Sequence, residues 1–326
     1  MKPSLSDLLN SARVVSLPLN VKFRGLLTRE AVLLEGPQGW SEFSPFVEYL
    51  DDEASTWLKA SIEFGWDELP EFHRTSVPVN ATVPAVAVED VAVVLARFDG
   101  CRTAKVKVAE AGQTLAEDVA RVAEVRRLMG PEGRVRLDAN GAWNVDEAEH
   151  AFHALAEFDL EYVEQPCATL EELHHLRERT HYMDVLIAAD ESIRKAEDPE
   201  AVIAAEAADI LILKVQPLGG IQKVKRLAQS TQLPVVVSSA LDTSAGIAMG
   251  VAAACALPEL SYDCGLATAA LLAADVTTEP LVPVNGEITF RRPDISAELL
   301  ETYAASPERT QWWLDRLERC YELLES

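Results

Sequence analysis

Ala104-Lys105-Val106-Lys107-Val108, Val135-Arg136-Leu137-Asp138 and Tyr162-Val163-Glu164-Gln165 are short β-rich runs, each carrying a charged residue at or near its C-terminal end. Between them, Ala116 to Met129 and Val145 to Phe158 place apolar residues at helical spacing. The alternation starts at Val77-Pro78-Val79-Asn80-Ala81. It continues through Ile187-Ala188-Ala189-Asp190, Ile210-Leu211-Ile212-Leu213-Lys214, Val235-Val236-Val237-Ser238 and Leu260-Ser261-Tyr262-Asp263, with helical segments at Leu170 to Arg179 and Ile221 to Gln229. Strands alternating with helices form a parallel sheet with helical crossovers. Eight such runs predict a (β/α) barrel over residues 77–275. A doubly wound open sheet is the alternative, but no GxGxxG follows any run.

Working outward, both ends lack this rhythm. Arg13 to Leu19, Val21 to Leu27 and Arg29 to Glu35 read as short strands, and Gly36-Pro37-Gln38-Gly39 as a turn. Trp40 to Pro45 reads as a strand end and loop, and Tyr49 to Phe64 as a helix. After Asp275, Glu279 to Phe290 and the helical segment Ile295 to Leu324 are expected to return to this N-terminal unit. The predicted organisation is an α+β capping domain, 1–76 plus 276–326, on the barrel.

Composition narrows the function. The chain has 326 residues, 29 basic and 53 acidic, for a net charge of −24. Such a surface repels nucleic-acid phosphates and anionic membranes. Five cysteines, with no CxxC pair, suggest neither a disulfide framework nor a zinc site. The N-terminus has no basic-then-apolar signal, and the weakly polar run Ala245 to Leu257 is shorter than the roughly 20 residues of a membrane helix. A cytoplasmic protein acting on a small molecule is expected, with oligomeric state left open.

The charged residues carry the chemistry. Lys107, Asp138, Glu164, Asp190 and Lys214 follow one another at intervals of 31, 26, 26 and 24 residues, about one βα unit each. Each therefore falls once per unit at the C-terminal mouth of the barrel, the catalytic face of that fold. One such residue alone is most often a helix cap or a solvated loop side chain; five in register are not. Three converging carboxylates repel one another unless a cation lies between them, and an all-oxygen set suits Mg²⁺, with Mn²⁺ as a substitute. Lys107 and Lys214 flank the acids. Lys105 lies on the same strand face as Lys107, so its charge should lower the Lys107 pKa and make that lysine usable as a general base.

In this order the motifs resemble the muconate-lactonizing subgroup of the enolase superfamily: Lys105-Val106-Lys107, Leu137-Asp138-Ala139-Asn140, Val163-Glu164-Gln165-Pro166, Ala189-Asp190-Glu191-Ser192 and Leu213-Lys214-Val215-Gln216-Pro217. The resemblance implies a capped (β/α)₇β barrel. It also implies metal ligation by Asp138, Glu164 and Asp190, acid/base work by Lys107 and Lys214, and supporting positions at Asn140 and Glu191. Removal of a proton α to a carboxylate is the chemistry it implies. Phe43-Ser44-Pro45-Phe46-Val47-Glu48-Tyr49, Ser238-Ser239-Ala240-Leu241 and Gly219-Gly220 look like the actinobacterial o-succinylbenzoate synthase family, whose substrate is a dicarboxylate.

Substrate contacts are expected at Gly219, Ser238, Ser239 and Arg24. Backbone N–H groups of Asp242-Thr243-Ser244-Ala245-Gly246, at a helix start, offer an anion site for a succinyl carboxylate, and an ordinary helix cap is the plainer reading. Arg24-Gly25 reads either as a loop covering the site or as an exposed hairpin. Trp40, Phe43 and Trp143 read as packing. The rival functions are N-succinylamino acid racemisation, dipeptide epimerisation, muconate cycloisomerisation and, from another class, a non-catalytic barrel that only binds. Ser261-Tyr262-Asp263-Cys264-Gly265 has one Asp where dipeptide epimerases carry Asp-x-Asp, which counts against epimerisation.

Overall fold

A computed structural model describes residues 2–195 and 200–325. The chain opens with β1 (Arg13–Phe23), β2 (Leu26–Gly36) and β3 (Gly39–Phe43), an antiparallel sheet in the order β1-β2-β3. The three runs read from sequence before residue 36 are thus two long strands. Phe23 pairs with Leu26 across Arg24 and Gly25, whose φ values of 48° and 80° fit a tight two-residue hairpin turn. The run Val21 to Leu27 straddles that turn, which explains why alternation alone misplaces it. Helix Asp51–Trp66 then packs on β3, burying Ala54, Trp57, Leu58 and Phe64.

Apart from the first, the strands from Ser76 to Ser238 form one parallel sheet. β4 (Ser76–Pro78) is followed by β5 (Ala81–Val83), β6 (Thr103–Lys107), β7 (Arg134–Asp138), β8 (Leu160–Glu164), β9 (Ile187–Ala189), β10 (Ile210–Lys214) and β11 (Val235–Ser238). The sheet runs β11-β10-β9-β8-β7-β6-β5, each strand beside its sequence neighbour. Its outer face buries Val106, Leu137, Val163 and Leu213 under the helices. Inside, Tyr162, Ala188, Ile210, Ile212 and Val236 form a separate cluster. Three crossover helices start on capping boxes, Thr114 with Glu117, Asn144 with Glu147 and Thr169 with Glu172, which satisfy backbone N–H groups at the mouth.

Two sequence expectations are corrected here. The first barrel run divides: β4 leaves the barrel to pair antiparallel with β12 (Glu287–Thr289), and only β5 enters the parallel sheet. The last run, Leu260 to Asp263, is not a strand. The adjoining Cys264 and Gly265 bridge Val79 and Ser238, joining the two edges of the sheet. The register moves because Asp263 is held by other partners. Its carboxylate accepts from Thr103 Oγ1 and Arg134 Nη2, each at 2.6 Å, and its carbonyl from Arg136 Nη1 at 2.7 Å.

The tail runs back to the N-terminal sheet. Ser16 N–H donates to the Tyr303 carbonyl and Ala305 N–H to the Val14 carbonyl. Helix Pro307–Glu325 buries Trp313, whose Nε1 donates to Glu30 at 2.8 Å. The expected single segment from 295 to 324 is therefore two helices, Ala297–Thr302 and Pro307–Glu325, parted by this strand-like contact and by Pro307. Every residue of helix Ser244–Cys255 is buried, because it lies between the barrel and β3. Among the described residues no helix is long and apolar enough to cross a membrane.

Candidate active site

Adjacent strand ends bring the charged residues together. Lys107 pairs in register with Asp138, and Asp138 with Glu164. Asp190 follows β9, and Lys214 ends β10 beside Ser238 of β11. Lys105, Lys107, Asp138, Asn140, Glu191, Lys214, Ser238 and Ser239 line one cavity at this end of the barrel. Glu164 and Asp190 are fully buried and meet the lining residues Lys105 and Lys214 rather than the cavity itself. Ala109, Asn140, Gln165 and Leu241 have φ values of 59°, 49°, 40° and 65°. Four non-glycine residues with positive φ close to strand ends mark the mouth as a place where the surroundings impose the backbone.

Each carboxylate faces a lysine. Lys107 Nζ donates to Asp138 Oδ2 at 2.5 Å and to Asn140 Oδ1 at 2.7 Å. Lys105 Nζ lies 2.8 Å from both Glu164 oxygens and 3.3 Å from Asp138. Lys214 Nζ donates to Asp190 Oδ2 at 2.5 Å. Asn140 joins the two sides, donating to Glu191 Oε1 at 3.1 Å. Gln165 Oε1 accepts from the N–H groups of Asp190 (2.9 Å) and Ser192 (3.2 Å), fixing the turn that presents Asp190.

The electrostatics separate the two lysines of β6. Burial works against the Lys105 ammonium, but Glu164 and Asp138 outweigh it and hold Lys105 above the usual lysine range. Lys107 is pushed below that range, chiefly by burial, with the Lys105 charge adding to it against the pull of Asp138. The two lysines of β6 are thus driven in opposite directions, Lys105 towards the ammonium and Lys107 towards the free amine, the kind of divergence that marks candidates for acid and base roles. Burial raises Asp138 too, yet the ammoniums of Lys107 and Lys105 prevail and hold it low. Glu164 is pushed up to about 7 by burial and by the Asp138 charge.

Comparison with known proteins places this geometry. Residues 87–300 match the family model described as enolase C-terminal domain-like, and residues 14–65 the enolase N-terminal domain-like model. The o-succinylbenzoate synthase of Mycobacterium tuberculosis (strain ATCC 25618 / H37Rv) is 54% identical over 323 residues, 99% of this chain and 97% of that protein. The protein of that name in Mycobacterium leprae (strain TN) is 53% identical, over 99% and 95%. The chain belongs to the o-succinylbenzoate synthase family of the enolase superfamily. Solved structures share the fold at low identity. Muconate lactonizing enzyme from Pseudomonas fluorescens, complexed with muconolactone, aligns with a TM-score of 0.77 at 20% identity, over 90% of this chain and 98% of that one. The L-Ala-D/L-Glu epimerase of Bacillus subtilis aligns at 0.73 and 22%, over 87% and 96%.

Enolase-superfamily enzymes generally use Mg²⁺. The donor set here fits such an ion in type and strand placement: three buried carboxylates on neighbouring strands, oxygen only. Their rotamers are turned to the lysines, and among the described residues no three His, Cys, Asp or Glu side chains stand in ligating geometry. Burial and then the Asp138 charge raise Glu164, and the second of these is a repulsion that a divalent ion would relieve.

Other expected site residues fall differently. Gly219 does not line the cavity. With φ 83° it ends the short helix Val215–Leu218, and a Cβ there would lie 3.6 Å from Thr56 and Lys59 of the helix Asp51–Trp66. The helix start at Thr243 is not open to a substrate anion, because this chain's own acids fill it. Glu42 Oε2 accepts from Thr243 N (3.0 Å), Thr243 Oγ1 (2.5 Å) and Gly246 N (3.1 Å), while Asp275 takes Ser244. Ser238 and Ser239 line the cavity but direct their hydroxyls to the Gly265 carbonyl, and Ser239 also meets Thr268 at 2.8 Å. Arg24 sits on the hairpin tip, over the Phe46 ring at 4.5 Å. With Phe23, Lys107 and Asn140 it stands between the inner cavity and an outer pocket of about 280 Å³. Phe43 is core, packed edge-on against Trp313.

Sequence reading misses a buried charge cluster behind the wall. Arg29 on β2, Glu42 on β3 and Asp242 after β11 are all buried. The available signal is a Glu between Trp40 and Phe43 in a strand too apolar to be exposed. Glu42 is pushed up to about 7 by burial first and by Asp242 second. A carboxyl raised from its ordinary 4.5 favours the folded state fully below 4.5, and that contribution is lost as pH rises through 7. The net charge of −24 acts in the same direction, so the test needs a control. In EDTA the melting temperature should fall between pH 5.5 and 8, and Glu42→Gln should flatten that slope. An unchanged slope in the variant contradicts the Glu42 assignment.

Proposed function

We propose that the chain is a hydro-lyase that converts 2-succinyl-6-hydroxy-2,4-cyclohexadiene-1-carboxylate to o-succinylbenzoate, a step of menaquinone synthesis. Full-length identity of 54% to relatives of that name carries the reading. The gathering of both lysines and Asp138 on one cavity, with buried Glu164 and Asp190 bonded to its lining lysines Lys105 and Lys214, supports it. Residues 1–76 and 276–326 act as the cap and 77–275 as the catalytic barrel.

Lys107, neutral in the active form, takes the proton α to the ring carboxylate, and the C–H electron pair moves toward that carboxylate. The same Nζ, now an ammonium, gives the proton to the departing hydroxyl. The C–O bond breaks, water leaves from the face the proton left, and the ring becomes aromatic. Lys214 stays protonated and lies against the developing negative charge, a fixed cation needing no reorganisation. Asn140 holds Lys107 in place from the next strand. Asp138, Glu164 and Asp190 would hold Mg²⁺, or Mn²⁺ in its place, and when bound it supplies positive charge beside the substrate carboxylate.

A cytoplasmic location and a small dicarboxylate substrate, without nucleic acid or membrane, complete the reading. Racemisation of an N-succinylamino acid is the competing one, favoured by two lysines lining one cavity. Dipeptide epimerisation loses ground because Asp263 is tied to Thr103 and Arg134, residues at the opposite ends of β6 and β7 from the mouth. Incubation with Mg²⁺ and the cyclohexadiene should yield an aromatic product lighter by one water. A substrate recovered intact would sink the proposal.

A further inference from the structure

Leu241 is the one bulky apolar residue among the positive-φ positions at the mouth, at 65°, and it lines the cavity with Ser239 and Ala240. A leucine held there is a conformation the surroundings must impose. The group doing so is identifiable. Arg29 Nε donates at 3.0 Å to the carbonyl of Leu241 itself. Its Nη2 donates to the carbonyl of Ser44 and, at 3.0 Å, to Ser44 Oγ, and its guanidinium lies 4.5 Å from the centroid of the Phe46 ring, another wall of the cavity. A rigid planar fork suits contacts in several directions at once.

The acids complete the arrangement. Ser44 Oγ donates to Glu42 Oε1 at 2.5 Å, while Glu42 Oε2 holds Thr243 and Gly246, just beyond the strained residue. Gly246 is required there: a Cβ would come within 2.8 Å of Glu42 Oε2 and 2.7 Å of Asp242 Cβ. Strands of the N-terminal sheet thus grip both sides of one barrel loop, and none of the three charges reaches the cavity surface.

We propose that Arg29 is a positioning residue that, braced by Glu42 and Asp242, sets the Ser239–Leu241 wall and Phe46 against the substrate's far end. The inference rests on the function proposed above. The reacting lysines stand on other strands, so loss of the clamp should weaken substrate and transition-state binding alike, which raises KM and leaves kcat.

The experiment is steady-state kinetics of the Mg²⁺-loaded enzyme on the cyclohexadiene for Arg29→Met, Arg29→Lys and Glu42→Gln. KM should rise about tenfold in Arg29→Met, equivalent to about 1.4 kcal/mol of binding. Its kcat should stay within about threefold. Arg29→Lys, which restores charge but not the fork, should fall between it and the parent. Glu42→Gln keeps an acceptor for Thr243 and Gly246 while removing the charge and the acceptor for Ser44 Oγ, so it loosens the brace without emptying the site, and its KM should rise as well. A KM within about twofold of the parent in the variants that fold overturns the proposal. If Arg29→Met does not fold, Arg29→Lys and Glu42→Gln decide on the same criterion. A parent enzyme that does not turn over the diene refutes the functional reading instead, so the two failures are distinct.

Discussion

Lys107→Ala should abolish dehydration and exchange of the substrate's α-proton with solvent together. A positioned general base contributes about 10²–10⁴ in rate, and this nitrogen serves twice, as base and then as acid, so a loss near or beyond the upper figure is expected. The two losses must coincide, because a single nitrogen carries both proton movements. The environment makes the role specific. Lys105, one turn of the pleat away, is held charged by Glu164 and Asp138, whereas Lys107 is pushed down by burial. Exchange in the parent should therefore rise with pH through a pKa below the ordinary 10.5. The check is deuterium incorporation by NMR beside turnover. Dehydration near the parent rate in the variant removes Lys107 from its role.

Glu164→Gln should have the next largest effect, readable without substrate. Glu164 stands between Asp138 and Asp190 in strand order, so replacing it removes the middle carboxylate of the proposed ligand set. Even the loss of an outer partner costs a metal site about 10–100-fold, and loss of a direct ligand should reach at least the upper figure for Mg²⁺ by titration calorimetry. It also leaves the buried Lys105 ammonium with Asp138 at 3.3 Å as its remaining carboxylate. Breaking a buried ion pair costs about 3–5 kcal/mol, so the metal-free variant should melt well below the parent. Undiminished Mg²⁺ affinity contradicts the ligand assignment.

The charged register at the mouth is visible in the sequence because a parallel strand buried on both faces is a short apolar run, and a charge at its end is conspicuous. Lys214 at the end of Ile210–Lys214 and Asp190 just past Ile187–Ala189 have that setting outright, while Lys107, Asp138 and Glu164 end strands that carry further charges and are marked by their spacing along the chain. Boundaries are less legible where tertiary contacts decide them. Arg24-Gly25 turns the hairpin inside what reads as one strand, and Leu260 to Asp263 is β-rich yet yields its place to Cys264 and Gly265. The Arg29 clamp leaves almost no local trace: its acceptor, the Leu241 carbonyl, lies 212 residues away, and backbone carbonyls have no sequence signature. The helix start at Thr243 looks like an anion site for a sound reason, since its N–H groups do bind a carboxylate. The carboxylate is Glu42, brought by a strand remote in sequence.

The account stands most directly on one comparison: kcat/KM for the cyclohexadiene and for an N-succinylamino acid, measured on one Mg²⁺-loaded preparation and on the same protein after EDTA. The predicted result is fast dehydration that EDTA removes, with racemisation slow or absent. Racemisation without dehydration would contradict it, keeping the barrel and its lysines but making the enzyme an isomerase.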